Sequence, residues 1–186
     1  MKKLMLSLAV ITAAIGANAQ SSKETMKPFQ FSVGLEAALP LGDFGDGYSF
    51  GIGGSVQGDY NVASDLAITA NVGYISYSGK TVSFPAIVVG GVTVFPAQSY
   101  KNPTIGIIPL LAGIKYSFTP TFYGSAQIGA AIFTASGGGG NETTLAYAPG
   151  IGYKFTPNFD ALLKYNGYSK NGTTNSSVGL RVAYTF

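Results

Sequence analysis

The sequence predicts an all-β fold, an eight-stranded antiparallel up-and-down transmembrane β-barrel with three short periplasmic turns and four longer exterior loops. Three observations predict it. Apolar residues alternate with small or polar ones, at period two, through eight segments. Charged residues are only 10% of the chain and glycine reaches 26 positions, whereas ordinary globular proteins are roughly 25% charged. Mean hydropathy is positive, yet no stretch has the length of a membrane helix. The apolar residues are therefore dispersed, as they are along the strands of a membrane barrel.

The N-terminus comes first. Lys2 and Lys3 precede an apolar run from Leu4 to Ala17, and Ala17-Asn18-Ala19 offers a small-x-small cleavage site before Gln20. This is the layout of a secretory signal peptide, and the run is too short for a span. The expected organisation is a signal peptide at 1–19, a short periplasmic segment at 20–28 and the barrel at 29–186. With no cysteine in the chain, a lipid anchor and disulfides are excluded. Without Lys2 and Lys3, nine cationic side chains face eight anionic ones, a net charge of +1. A nucleic-acid-binding stripe has no support in that balance.

Each strand follows from its alternation. The first sets Phe29, Phe31, Val33, Leu35 and Leu39 against Gln30, Ser32, Gly34 and Glu36. The second sets Phe50, Ile52, Val56 and Tyr60 against Gly51, Ser55, Gln57 and Asp59; the third, Leu66, Ile68, Val72 and Tyr74 against Ala67, Thr69 and Asn71. The fourth is apolar on both faces from Ile105 to Leu111, then resolves into Ile114, Tyr116 and Phe118 against Gly113, Lys115 and Ser117. In the fifth, Gly124, Ala126, Ile128 and Ile132 oppose Tyr123, Ser125 and Gln127. The sixth puts Leu145, Tyr147, Ile151 and Tyr153 opposite Ala146, Ala148, Gly152 and Lys154. The seventh puts Phe159, Leu163 and Tyr165 opposite Asp160, Lys164 and Asn166, and the eighth Val178, Leu180, Val182, Tyr184 and Phe186 opposite Gly179, Arg181 and Ala183.

Every strand charge lies on the small, polar face. A Lys or Arg facing lipid at mid-depth costs about 2–4 kcal/mol, which explains its absence from the apolar faces. A soluble sandwich would instead carry many charged residues on its solvated faces.

Short connections at 61–65, 119–121 and 156–158 alternate with longer ones at 40–48, 78–103, 135–143 and 169–175. That asymmetry separates the periplasmic side from the exterior. The turn Tyr116 to Phe122 (YSFTPTF) recurs as Tyr153 to Phe159 (YKFTPNF). Its aromatics form the periplasmic half of an aromatic girdle, with Tyr48, Phe50, Tyr74, Tyr77, Tyr147 and Tyr165 as the outer half.

On this strand pattern, these aromatic turns and the ending Val178-x-Leu180-x-Val182-x-Tyr184-x-Phe186, the chain resembles a known family. It is the small outer-membrane β-barrel family typified by the membrane domain of outer-membrane protein A and the porin-like barrels common in Bacteroidetes. The resemblance covers Phe29 to Phe186. It implies residence in the bacterial outer membrane, contact with outer-membrane lipid and lipopolysaccharide, and a terminal signal at Tyr184 and Phe186 read by the barrel-assembly machinery. With Phe186 last, the peptidoglycan-binding domain of larger relatives is not expected.

Chemistry is sparse. There is no histidine or cysteine, so the usual general bases and the imidazole or thiolate metal sites are missing. Neither an enzyme, a cofactor nor a metal is expected. The Gly-rich loop holding Asp43 and Asp46 suits a weak Ca²⁺ site or, more often, a plain turn. The glycine run at 136–140 lacks the Lys-Ser/Thr of a phosphate loop and is expected to be an exterior loop.

The inward charges are the first candidate site. Counted from the periplasmic ends, Lys115 and Lys154 lie lowest, level with Asp59 and Asp160, while Glu36, Asn71, Gln127, Lys164 and Arg181 lie higher; these seven, with the two aspartates, are expected to form a paired polar network plugging the lumen. Barrel closure brings Glu36 near Arg181 if the shear allows. The second is an exterior hairpin about Gly90-Gly91, interrupted by Pro85 and Pro96, with Phe84, Ile87, Val89, Val92, Val94 and Phe95 either as an interaction surface or as a strand extension packed over the barrel mouth. Were it to cross the membrane, the barrel would have ten strands. The function expected is a monomeric, non-enzymatic structural or surface-interaction barrel; the alternative is a small porin-like channel for ions or small solutes.

Overall fold

Period-two alternation becomes a wall with an inside and an outside. The computed structural model describes residues 28–90, 92–135 and 141–186. Three strands open the chain: β1 (Phe29–Leu41), β2 (Tyr48–Asn61) and β3 (Leu66–Gly79), with a helical turn α1 (Gly42–Gly47) between the first two. Four short strands follow: β4 (Thr81–Phe84), β5 (Ile87–Val89), β6 (Val92–Phe95) and β7 (Gln98–Lys101). Five long ones finish it: β8 (Ile105–Ser117), β9 (Phe122–Ala135), β10 (Glu142–Lys154), β11 (Phe159–Lys170) and β12 (Thr173–Thr185). The eight long strands close in the order β1-β12-β11-β10-β9-β8-β3-β2. The ten-strand alternative is thereby excluded, because among the described residues β4 pairs with β7 and β5 with β6, outside the closed sheet. The predicted signal peptide at 1–19, residues 20–27 and the glycine run at 136–140 lie outside the described residues.

Antiparallel pairing closes the barrel between first and last strands, from Ser32↔Thr185 to Leu41↔Ser176. Outward side chains are exposed and apolar, with Leu35 75% exposed at mid-strand. Inward ones are buried, polar at the periplasmic end and apolar at the exterior end. An apolar outer surface of this kind is stable only when lipid covers it.

Two prolines interrupt the wall at mid-height. The β10–β11 ladder skips from Tyr147↔Gly167 to Gly150↔Lys164, around Pro149. The β3–β8 ladder skips from Val72↔Leu110 to Ile75↔Ile107, around Pro109. Proline has no N–H to give a neighbour, and each proline keeps its pairing on the other side, Pro149 with Ala126 and Pro109 with Ala131.

The repeated turns share one design. Thr119 Oγ1 accepts from Phe122 N at 2.9 Å, and Thr156 Oγ1 accepts from Phe159 N at 3.0 Å. Such side-chain turns pre-form the hairpin. Around them Phe122–Tyr153 and Phe159–Tyr184 stack edge-on, their centroids 5.0 and 4.9 Å apart, giving the periplasmic aromatic belt.

The outer belt needs correction. Phe50, Tyr74 and Tyr165 are exposed on the outer wall, and Tyr147 lies tilted beside Tyr165. Tyr77 instead points into the lumen and is fully buried: it is three residues from Tyr74, and an odd step reverses the face. Tyr48 also leaves the belt, because a register shift between Tyr48 and Gly51 breaks the alternation and packs its ring against Phe44. The exterior connection expected at 169–175 is tighter than its length suggested. Strands run to Lys170 and from Thr173, leaving Asn171-Gly172 as a two-residue turn with φ of 51° and 83°. Positive φ at both positions is the type I′ hairpin geometry that Asn-Gly favours.

Candidate functional site

Side chains fill the lumen in three tiers, the periplasmic one first. Lys115 Nζ pairs with Asp59 Oδ2 at 2.6 Å, and its ammonium lies 4.9 Å from the centre of the Tyr123 ring. Gln57 Nε2 donates to Asp59 Oδ1 at 2.7 Å, while its carbonyl accepts from Gln127 Nε2 at 3.2 Å and Asn71 Nδ2 at 3.4 Å. Gln127 Nε2 also reaches Thr69 Oγ1 at 2.9 Å. The Tyr123 hydroxyl donates to the Asp160 carboxylate.

The middle tier centres on Glu36, 3% exposed. Its Oε1 takes hydrogen bonds from Lys164 Nζ at 3.0 Å and Ser55 Oγ at 2.7 Å. Ser55 Oγ in turn accepts from Arg181 Nε at 2.8 Å, and Arg181 Nη2 donates to Ser32 Oγ at 2.9 Å. Above them Asn166 Nδ2 and Tyr77 OH meet Ser177 Oγ at 3.2 and 3.1 Å. Glu36 Oε2 and Asn71 Oδ1 are buried acceptors with no protein partner among the described residues, positions at which ordered water normally serves as donor.

The exterior tier is apolar. Ile75, Ile107, Leu111, Ala146 and Tyr168 form one buried cluster, with Ile107 fully buried. Phe44 closes it from above, its ring 5.1 Å from that of Tyr77. The short helix α1 is thus a stopper. Sequence reasoning missed this tier, although the doubly apolar stretch Ile105 to Leu111 was its signal: the inward half of β8 faces an apolar plug rather than a polar lumen.

The structure brings together six of the seven predicted lumen residues: Glu36, Lys164 and Arg181 in one tier; Asn71, Lys115 and Gln127 in the other. Lys154 stands apart. It lies half-buried at the periplasmic mouth, lining with Lys115, Gln30, Asp65 and Ser117 a polar cavity of about 180 Å³, and it makes no ion pair among the described residues. Asp59 and Asp160, inward charges of the same strands, join the network as expected; Ser55 and Tyr123 join it without having been named as site residues, although their inward parity was readable.

The acidic loop takes the form of a short helical turn. Asp43 and Asp46 are exposed, while Gly45 O accepts from Lys80 Nζ at 2.6 Å and Gly47 O from Asn102 Nδ2 at 3.0 Å. Two of the loop's carbonyls thus serve as acceptors, one of them for an ammonium.

Outside the barrel, β4–β7 and β5–β6 build the predicted hairpin as a two-stranded arm, longer than expected at its base. Its stem pairs Thr81↔Lys101, Val82↔Tyr100, Ser83↔Ser99 and Phe84↔Gln98. Its tip pairs Ile87↔Phe95 and Val89↔Val92 about Gly90, whose φ is 60°. Val94 and Phe95 are exposed. At the other end of the molecule, Tyr184 lies on the outer wall against Phe159 and Phe186, and Phe186 N donates to Phe31 O at 2.9 Å.

No curated protein matches the chain in sequence. Among solved structures it matches Ail, the attachment invasion locus protein of Yersinia pestis, at 16% identity and TM-score 0.53, covering 85% of this chain and 97% of that one. It matches Neisserial surface protein A at 18% identity and TM-score 0.53, covering 86% and 97%. It also matches the N-terminal β-barrel domain of Pseudomonas aeruginosa OprF at 21% identity and TM-score 0.51, covering 83% and 97%. Likeness at these identities is one of fold. The family described as the outer membrane protein beta-barrel domain matches residues 6–186. With its closed eight-stranded wall and lipid-facing apolar surface, the chain belongs to that family and resides in the bacterial outer membrane.

Proposed function

We propose that this barrel is a non-enzymatic, monomeric envelope protein that supports the outer membrane and makes contacts through its exterior segments, above all the arm. The observation that carries this is the filled lumen. The Ile75–Ile107–Phe44 plug stacks on the Glu36–Lys164–Arg181 tier, and an apolar plug offers a permeating ion nothing in place of its hydration shell. An eight-stranded barrel is only wide enough for its own side chains. Planar-bilayer recording tests the reading. No stable conductance is expected from the wild-type protein, and steady, ion-selective conductance would favour a small channel for ions or solutes instead.

Three smaller assignments belong with this reading. Residues 1–19 act as a cleaved signal peptide, followed by a short periplasmic segment at 20–28. Tyr184 and Phe186 present the ending that the barrel-assembly machinery reads. The exterior surface meets outer-membrane lipid and lipopolysaccharide. Ail is known in complex with the heparin analogue sucrose octasulfate; at this rim Lys170 pairs with Glu142 at 3.0 Å and Lys80 Nζ donates to Gly45 O at 2.6 Å.

A further inference from the structure

The arm's stem has two unlike sides. Val82, Phe84 and Tyr100 are 37, 60 and 61% exposed and alternate with Thr81, Ser83, Ser99 and Lys101, of which Ser83 and Ser99 bond across the ribbon at 3.0 Å. No charged residue lies between Lys80 and Lys101. A two-stranded ribbon is marginal in water on its own, and an exposed aromatic face weakens it further unless something covers that face.

What covers it is indicated by register. The barrel ladder ends at Tyr77↔Ile105 and the stem begins at Thr81↔Lys101. Three residues on each strand separate the two, so alternation carries through. Val82, Phe84, Tyr100 and, opposite Phe84, Gln98 continue the lipid-facing side of β3 and β8; Thr81, Ser83, Ser99 and Lys101 continue the lumen side. The joints between ladder and stem, Lys80 and residues 102–104, are not strand. The root is held at the rim by Lys80 N to Gly47 O at 2.9 Å and Asn102 Nδ2 to Gly47 O at 3.0 Å. Were the arm to bend outward at those joints, its aromatic face would turn down toward the membrane and its hydroxyl face up toward water.

We propose that the arm lies on the outer leaflet of the membrane its own barrel spans, with Val82, Phe84 and Tyr100 at the boundary between headgroups and acyl chains. Each side of the arm runs about ten residues, roughly 33 Å when extended, enough to reach the leaflet from the rim. Strand addition by a second copy is disfavoured, since Pro85, Pro96 and the register shift beside Ile87 break the arm's edges. This inference rests on the proposal that the arm is the protein's contact surface, and it names the partner as lipid.

The chain has no tryptophan, so single-tryptophan variants report directly. Phe84→Trp, with Tyr100→Trp as a second reporter and Ser83→Trp on the opposite face, is refolded into unilamellar vesicles at high lipid-to-protein ratio. The expected result is blue-shifted emission from Phe84→Trp and Tyr100→Trp, quenched several-fold by bromine on the acyl chains and little by aqueous iodide, with the reverse for Ser83→Trp. Iodide quenching at all three positions without bromine quenching overturns the proposal. So does bromine quenching seen only when brominated vesicles are added in trans, which assigns the arm to another membrane. A blue shift that grows with protein density and is insensitive to bromine also overturns it, in favour of a second copy. Conductance through the lumen is read separately and leaves these signals unmoved.

Discussion

Glu36 and Arg181 are direct partners across the closing seam of the barrel, yet their charged atoms stay 3.8 Å apart. Ser55, from the strand beyond, donates to the first and accepts from the second. Lys164 supplies the tighter ion pair to the same carboxylate oxygen. One buried anion therefore holds two cations and a hydroxyl, and four strands meet through it.

Glu36→Ala should accordingly cost about 3–5 kcal/mol, the range for breaking a buried ion pair by removing one partner. It leaves Lys164 and Arg181 facing each other without an anion. Glu36→Ala combined with Lys164→Met should recover part of that loss. Equilibrium unfolding by guanidinium in lipid vesicles measures both, and strictly additive losses would sink the shared-anion account.

Glycine at position 53 is required by close approach. A Cβ there would lie 1.8 Å from Tyr74 O and 2.8 Å from Ile75 Cα. Backbone cannot yield as a side chain does, so Gly53→Ala should destabilise the barrel by about 1–3 kcal/mol or more and lower its refolding yield. Next to it, Gly54→Ala meets nothing nearer than 3.4 Å and should refold normally. Mobility shift of folded and heated samples on gels compares the two.

Leu35 tests the lipid-facing wall. On a water-exposed surface Leu35→Arg would be nearly neutral; facing lipid at mid-depth it should cost about 2–4 kcal/mol. Unfolding measured in vesicles separates these outcomes, and a change near zero would contradict the membrane assignment of that face.

N-terminal sequencing of protein recovered from outer membranes should begin at Gln20. An intact Met1 on the membrane-inserted form would overturn the predicted cleavage after Ala19.

The wall was legible in the sequence because period two assigns each residue a face without further information. It placed Glu36, Lys164 and Arg181 inside and Leu35 and Ile52 outside. Height is another matter: alternation does not say which inward residues share a level, since that depends on the stagger between strands. Hence counting from the strand ends put Lys154 rightly at the periplasmic mouth but set Asn71 and Gln127 level with Glu36, whereas both bond to Gln57 in the tier below, and the layer of Ile75 and Ile107 went unrecognised as a plug. Phe44 lay in what looked like a plain acidic loop. Asn171-Gly172 was a readable hairpin signal that strand lengths drawn too short had hidden.

The gaps at Pro109 and Pro149 bear on mechanics. They fall on the two seams that divide the ring of strands into an arc of three, β8 to β10, and an arc of five, β11 through β12 and β1 to β3. Each seam loses ladder bonds at mid-height, where a cylinder squeezed from the side must flex. Lateral pressure from a crowded membrane should therefore flatten the cross-section along one preferred axis, creasing at those two lines and leaving the β1–β12 closure stiff.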